Sequence, residues 1–493
     1  MRSRRVEATS RAESLLATMR LASPRHNSTV CAASPLFERG AGAVVNLTVG
    51  RVWRWYSAFA CSEEGGESEQ QRLCLAYKTG TLARRWQVHS TANADGLGFD
   101  PVPSSLAWPD LAWPEARFAH NLAILRLADG RYALVGGQQD FVSNASCVKE
   151  RRSRSGLGAN WSAVEPECLV EASDDDGSDR HHQRPGRAAR APPLRAVGVQ
   201  LTLSTSASWR HAVANGWPTP RRILRGSDPP GCVDRRPEYT GWPHLRACGF
   251  DGRLSLVELP AAPLVHRSHN GVDDGMKGTG GRFRLYARSN PRFRVAVGGR
   301  WVQTSASPTL AAGSWQRWEP VRIAGLDESR SDLYFFHVQR HPLESMLVRG
   351  SGSVGGAVLL ALFPLAQPPY ACVGLAFSRD GVRWSRPLTL TDSRLGFRTH
   401  RKQLEWRGED HPVAGAVHAP ARGGGGGDGG AGGGQRRGGG RGHVLFYVHH
   451  AVKGMSLRDG AVAHVARYRM PAGQLSRLTK IGLSELDGQS NGE

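Results

Sequence analysis

Short runs of mostly apolar residues, each closed by a turn, recur along this 493-residue chain. Runs of this kind predict β-strands, and no helical pattern extends over about 12 or more residues. Asp129-Gly130 separates two of the runs and Asp251-Gly252 precedes another, as tight hairpin turns do. The predicted strands are Leu122–Leu127, Tyr132–Gly136, Leu254–Leu259, Phe283–Ala287, Leu333–Val338, Val358–Leu362, Val373–Phe377 and Val444–Val448.

A repeated unit becomes visible when the tryptophans are aligned: an apolar strand, a Ser or Thr, a polar turn, a Trp and a further strand. The clearest copy is Ser378-Arg-Asp-Gly-Val-Arg-Trp384, and the other copies contain Trp86, Trp209 and the pair Trp315 and Trp318. We expect the Ser and Asp side chains to bond turn amides and the Trp to pack between neighbouring sheets. With a final hairpin over residues 444–468, these units predict an all-β fold, a five-bladed β-propeller.

Two low-complexity segments interrupt the strand pattern. Residues 149–195 are rich in Arg, Asp, Ser, His and Pro, and residues 421–442 are nearly all glycine with a few arginines. Such compositions cannot bury enough apolar area to offset chain entropy, so we predict disordered loop insertions. The predicted organisation is a disordered extension over 1–44, the propeller over 45–475 and a tail over 476–493.

The formal net charge of +21 raises the question of an anionic partner. Only six of the 64 basic residues are lysine, and the arginines form no stripe interleaved with aromatic residues. We therefore expect no nucleic-acid partner. Guanidinium groups pair bidentately with carboxylate or sulfate, so an anionic glycan is the partner that this charge favours.

Eight cysteines, an even number, and four N-x-S/T sequons favour a secreted or secretory-pathway glycoprotein with disulfides. An organellar location is the alternative, because residues 1–30 contain no apolar stretch of a signal peptide. No apolar run reaches the roughly 18 residues of a membrane span, and we expect a monomer.

The Ser378–Trp384 unit resembles the S-x-D-G-x-x-W hairpin of five-bladed propeller glycosidases of the arabinanase, invertase and levansucrase type. This resemblance implies a carbohydrate-active protein that hydrolyses O-glycosyl bonds through inward-facing carboxylates of different blades. We expect no cofactor and no metal. A non-catalytic propeller that binds glycan or protein is the alternative, since one fold hosts both. Further segments that resemble successive blades of this family are 120–125 with 132–137, 250–257 with 285–290 and 298–300, and 408–413.

The acidic candidates come from two of these segments. Glycosidic cleavage needs two carboxyl groups with separate acid and base roles. Asp410, beside Glu409, lies in a polar cluster just before a predicted strand over 413–417, and Asp251 from an earlier blade is its expected partner. The alternatives are a polar turn stiffened by Pro412 and a plain Asp-Gly turn.

The predicted substrate-binding residues lie next to the acidic candidates or at strand ends. His411 and Arg253 are neighbours of Asp410 and Asp251 and could orient them or shift their pKa. The remaining candidates are Arg288, Asn290, Arg300, His120 and Asn121. The arginines have an alternative interpretation as solvated loop residues, and His120 as a structural histidine.

Overall fold

The computed structural model describes residues 30–32, 35–37, 43–45, 56–62, 71–78, 86–90, 100–101, 118–139, 142–143, 169–170, 196–205, 218, 220–225, 250, 254–260, 281–289, 300–348, 357–367, 370–393, 398–400, 403–405, 409–412, 415–419, 442–452 and 464–489. For several strands among these, only the backbone is described.

Most of the described residues lie in short strands. In chain order these are β1 (Ala43–Val45), β2 (Tyr56–Ser62), β3 (Gln71–Lys78), β4 (Trp86–Ser90), β5 (Asp100–Pro101), β6 (Phe118–Arg126), β7 (Tyr132–Gln139), β8 (Val142–Ser143), β9 (Leu169–Val170), β10 (Ala196–Leu203), β11 (Arg221–Arg225), β12 (Ser255–Glu258), β13 (Phe283–Ser289), β14 (Trp301–Ser307), β15 (Glu319–Pro320), β16 (Arg322–Ile323), β17 (Asp332–Leu333), β18 (His337–Arg340), β19 (Leu359–Gln367), β20 (Tyr370–Ser378), β21 (Arg383–Trp384), β22 (Leu388–Ser393), β23 (Arg398–His400), β24 (Gln403–Glu405), β25 (Glu409–Pro412), β26 (Val417–Ala419), β27 (His443–Val452) and β28 (His464–Pro471).

Antiparallel sheets of four or five strands form a ring with the arrangement of a β-propeller. The blades, in strand order, are β6-β7-β10-β11, β12-β13-β14-β15, β17-β19-β20-β22 with β18 also on β19, and β25-β27-β28-β1 with β26 on β27. The sheet β2-β3-β4-β5 is described by its backbone alone. The structure thus describes four blades with side chains rather than the predicted five.

The first strands of neighbouring blades contact one another, so they lie around the centre of the ring. Strand β6 contacts β2 and β12, and β12 contacts β18. The Ser255 hydroxyl links β12 to β18, because it donates to the Val338 carbonyl at 3.1 Å and accepts from the Val338 amide at 2.9 Å. Side chains of these first strands are therefore the ones that a central site can use.

The N-terminal part of the chain closes the ring. Strand β1 pairs with β28, so the first described strand completes the last blade. Before it, a 3₁₀ turn over Val30–Ala32 is tied to β20 by a disulfide between Cys31 and Cys372. The backbone amides of Leu36 and Phe37 then donate to carbonyls of β22. The structure therefore places several residues of the predicted 1–44 extension in the fold.

The Ser378–Trp384 unit forms the predicted turn. Gly381 has φ +76°, and its amide donates to the Ser378 hydroxyl at 2.8 Å. Asp380 accepts from the amides of Val382 and Arg383, both at 2.8 Å. Trp384 is fully buried between two blades, in contact with Tyr286 of β13 and Phe336. The roles predicted for the Ser, the Asp and the Trp are confirmed.

Helix content is low, but the expectation of no helix of about 12 residues is wrong. Helix α1 spans Glu344–Val348, and helix α2 spans Ala472–Gln489, most of the predicted tail. Leucines recur on one side of α2 at helical spacing, and this side packs on β20 and β28. The sequence carried this signal, although polar residues interrupt it.

Two predicted strands also differ in their limits. The run Leu333–Val338 divides into β17 and β18, because one extra residue is accommodated opposite β19 between the two pairs Leu333↔Leu365 and His337↔Leu362. Glu409–Pro412 is itself strand β25 and not a polar turn before a strand. Pro412 fits there because, among the described strands, β25 pairs only with β27.

The predicted insertions 149–195 and 421–442 lie outside the described residues, apart from β9, which pairs with β8, and Gly442. Their disorder stays a prediction. No described helix is long and apolar enough to span a membrane.

Candidate functional site

Two carboxylates from adjacent blades line one pocket. Asp332 of β17 and Asp410 of β25 are 8 % and 1 % exposed, and both contribute to the walls of one small pocket with a cavity volume of about 10 Å³. The remaining lining residues are Tyr334, Pro364, Leu365, Ala366, Ala371 and Cys372. The site therefore lies between the first strand of the last blade and the β19–β20 hairpin of the blade before it.

Asp332 is held by the backbone and by a neighbouring guanidinium. It pairs with Ala366 of β19, which fixes its position at the pocket wall. Its carboxylate accepts from the Arg300 amide at 3.1 Å and lies 3.4 Å from Arg300 Nε. The guanidinium compensates the charge of a carboxylate that is largely removed from water, as burial of a charge requires.

Asp410 is held by two strands of its own blade. Its Oδ2 lies 2.7 Å from Nδ1 of His450 on β27, and Nε2 of His450 lies 2.7 Å from the hydroxyl of Tyr468 on β28. All three side chains are buried. A buried carboxylate with such a partner is stable only while the partner is present, because an unpaired buried charge costs several kcal/mol.

An aromatic and cationic cluster borders the two carboxylates. Tyr334 projects from the bend between β17 and β18, and its ring stacks on His411, with centroids 5.4 Å apart and planes at 23°. The guanidinium carbons of Arg288 and Arg300 lie 5.0 Å and 4.8 Å from the centroid of the same ring. Cation–π attraction therefore gathers two arginines from β13 and the start of β14 at one tyrosine.

The disulfide forms part of the pocket wall. Cys372 lines the pocket, and its bond to Cys31 brings the N-terminal segment against the β19–β20 hairpin. The Cys31 amide also donates to the side-chain carbonyl of Gln367 at 3.3 Å. The disulfide thus ties one residue of the pocket wall to a segment 341 positions away in sequence.

Asp380, although it lies in the motif that resembles the glycosidase hairpin, is not part of this pocket. Burial alone would raise the pKa of its carboxyl, but hydrogen bonds from Arg383 and Val382 outweigh burial and lower the pKa. Its contacts are those of a turn residue. Among the described residues, no group of three or more His, Cys, Asp or Glu is placed to hold a metal ion.

The predicted site residues fall into three groups. Asp410, His411, Arg288 and Arg300 are described with their side chains and lie together around Asp332 and Tyr334. Glu409 lies in β25, but only its backbone is described, and the same is true of His120 and Asn121 in β6. The predictions for Asp251, Arg253 and Asn290 concern residues outside the described ranges.

Sequence reasoning missed Asp332, Tyr334, His450 and Tyr468. Asp332 directly precedes a predicted strand and Asp410 lies close before another, so the same criterion could have selected Asp332. His450 is buried and bonded to Asp410, 40 residues away, and only the fold brings the two together. No local pattern marks Tyr468 as the far partner of that histidine.

No family model and no curated protein matches the chain. Among solved structures, it is similar to a β-1,2-mannobiose phosphorylase from Listeria innocua, with 9 % identity, a TM-score of 0.35 and coverage of 89 % of this chain and 97 % of that one. It is also similar to a GH130-family glycoside hydrolase that targets β-1,2 mannosidic linkages in Candida mannan, with 11 % identity, a TM-score of 0.34 and coverage of 87 % and 92 %.

A glycosyl hydrolase from Bacteroides ovatus matches with 11 % identity, a TM-score of 0.33 and coverage of 90 % and 96 %. These neighbours are carbohydrate-active proteins with propeller folds. At such identities and scores the likeness carries no argument about the activity of this chain. The propeller assignment rests on the sheets themselves.

Proposed function

We propose that the protein is a carbohydrate-active propeller, glycoside hydrolase-like, that acts on a polysaccharide or glycan at the pocket between its last two blades. The carboxylate pair Asp332 and Asp410 carries this proposal, because two acidic residues from different blades line one pocket. Hydrolysis of a glycosidic bond needs two such groups, with environments that separate their roles.

The two environments differ in the required way. Asp332 lies beside the Arg300 guanidinium and suits the role of the ionised carboxylate, either base or nucleophile. Asp410 can share a proton with the His450 imidazole and suits the role of the acid that protonates the leaving oxygen. This assignment replaces Asp251 by Asp332 as the partner that we propose for Asp410.

An acidic glycan is the substrate class that the neighbouring charges support. Arg288 and Arg300 are held over the Tyr334 ring at the border of the pocket. A guanidinium recognises a carboxylate or sulfate group bidentately, as on a uronic acid or a sulfated sugar. A neutral glycan would leave this recognition unused.

The test is incubation of the wild-type protein with a panel of neutral, uronate-bearing and sulfated oligosaccharides, with products separated by chromatography. We expect cleavage of an acidic member, and a loss of turnover of about 10²-fold or more in Asp332→Asn and Asp410→Asn. Asp380→Asn is the matched control, because it alters a carboxylate of the turn outside the pocket and should retain turnover.

The second candidate function is a non-catalytic glycan- or protein-binding propeller. The observation that favours it is that both carboxylates have internal partners, Arg300 and His450. Calorimetric binding of an oligosaccharide without any cleavage would support this candidate and contradict the hydrolase. Cleavage that survives in both Asp→Asn variants would remove the carboxylate pair from the mechanism.

A further inference from the structure

A chain of two short hydrogen bonds crosses the last blade from the pocket. It runs from Asp410 on β25 through His450 on β27 to Tyr468 on β28, three neighbouring strands of one sheet. The three residues are 1 %, 4 % and 2 % exposed. Bonds of 2.7 Å at both ring nitrogens leave the imidazole one orientation.

The proton positions along this chain follow from the chemistry of its members. An ionised carboxylate only accepts hydrogen bonds, so Nδ1 of His450 must carry a proton whenever Asp410 is ionised. In the neutral imidazole, Nε2 is then an acceptor, and the Tyr468 hydroxyl donates to it. If Asp410 is protonated, its own O–H donates to Nδ1, and Nε2–H donates to the Tyr468 oxygen.

The far end of the chain is also fixed. The Tyr468 ring stacks on Phe37, with centroids 4.9 Å apart and planes at 22°. Phe37 belongs to the N-terminal segment, and its amide donates to the Leu390 carbonyl at 3.0 Å. Tyr468 therefore cannot turn away from His450 without loss of this packing.

We propose that His450 is a positioning residue, which orients the Asp410 carboxyl group and shares its proton, and that Tyr468 holds the orientation of the His450 ring in either tautomer. The inference rests on the proposed function of the pocket. His450 does not line the pocket, so it acts through Asp410 and not on a sugar.

Three substitutions separate the parts of this chain. His450→Asn keeps an N–H donor near the place of Nδ1, His450→Phe removes both ring nitrogens, and Tyr468→Phe removes only the hydroxyl. With the acidic oligosaccharide that the wild type cleaves, we expect kcat to fall about 10- to 100-fold in His450→Phe, with KM changed less than about 2-fold. His450→Asn should regain part of the loss.

The pH profile distinguishes positioning from a structural role. Loss of the shared proton should shift the limb of the kcat profile that reports Asp410 in His450→Phe and, by less, in Tyr468→Phe. His341→Gln is the control, because His341 is a buried histidine bonded to Thr479 away from the pocket, and its profile should match the wild type. A folded His450→Phe variant with unchanged kcat and pH profile contradicts the positioning role.

A second measurement needs no substrate. Long-range ¹H–¹⁵N spectra of the histidine side chains, with His450 assigned by its substitution, should show a change of the Nδ1 shift in Asp410→Asn, because this substitution removes the shared proton. An Nδ1 shift that does not change in Asp410→Asn overturns the inference. A wild type that cleaves no oligosaccharide contradicts the proposed function instead, and the spectra then still decide whether His450 holds Asp410.

Discussion

The side-chain amide of Gln339 bonds both backbone groups of Ala416, the amide at 2.7 Å and the carbonyl at 2.8 Å. Gln339 lies on β18 and Ala416 directly precedes β26, so this pair of bonds joins the last two blades. The bonds need Gly415, because a Cβ there would overlap the Gln339 carbonyl oxygen. This junction of the last two blades therefore depends on one glutamine and one glycine.

Loss of this junction should destabilise the protein without touching the carboxylates. Gln339→Leu removes two hydrogen bonds and leaves the backbone of Ala416 unpaired, so we expect the free energy of unfolding to fall by about 2 kcal/mol. Gly415→Ala should cost a similar amount by displacing the glutamine. The costs of the two changes should not add in the double variant, as urea unfolding would measure. Full additivity would show that the two residues act separately.

Helix α2 contains a second glycine with a packing role. A Cβ at Gly482 would lie 3.1 Å from both Phe377 and Ser385, whereas a Cβ at Gly488 meets nothing within 4 Å. Alanine favours a helix over glycine by about 1 kcal/mol. We expect Gly488→Ala to raise the midpoint of thermal unfolding slightly and Gly482→Ala to lower it. A rise in both variants would mean that α2 does not pack on β20 as described.

His341 should make stability depend on pH. Burial lowers its pKa to about 3, and its Nδ1 accepts from the Leu343 amide while Nε2–H donates to Thr479. In the unfolded chain the group titrates near its ordinary value of 6.5. Between these two pH values His341 binds a proton in the unfolded state but not in the folded state. The free energy of unfolding therefore falls as the pH falls from about 6.5 to about 3.

From pH 7 to pH 5 this histidine should remove about 2 kcal/mol from the free energy of unfolding, at about 1.4 kcal/mol for each pH unit below 6.5. His341→Gln keeps a donor near Nε2 but cannot titrate. Its pH dependence over this interval should therefore be shallower, as urea unfolding at several pH values would show. An identical slope in both proteins would assign the acid sensitivity to other groups.

The Cys31–Cys372 disulfide should stabilise the folded protein. It joins residues that are 341 positions apart, and a cross-link over a long loop restricts the unfolded chain most. Removal in Cys31→Ser/Cys372→Ser should cost about 2–5 kcal/mol. Thermal unfolding with and without reductant measures this, and the double variant should show a smaller response to reductant than the wild type. An equal response to reductant in the wild type and the double variant would mean that reductant acts on a bond other than Cys31–Cys372.

The local features of the fold were predictable because neighbouring residues determine them. The strand runs, the Asp129-Gly130 turn and the Ser378–Trp384 turn each depend on a few adjacent side chains and on φ angles that glycine tolerates. Helix α2 was predictable in the same way, from leucine spacing, and was overlooked. The polar neighbours of Asp410 select it as a candidate. Its strand could not be predicted, because Pro412 is tolerated only at the edge of a sheet and the sequence does not show where the edges lie.

The arrangement of the candidate site depended on the tertiary structure. Asp410 contacts His450, which is 40 residues away in sequence, and His450 contacts Tyr468, a further 18 residues on. These contacts form because three strands of one blade lie side by side. Asp332 reaches the same pocket from the preceding blade, and closure of the ring decides which blades are neighbours. The sequence by itself determined the local turns and most of the strand segments, and it selected Asp410 as a candidate. Only the packing of blade on blade decided which carboxylates meet, because alternation along a strand sets a side chain's face but not what lies opposite it.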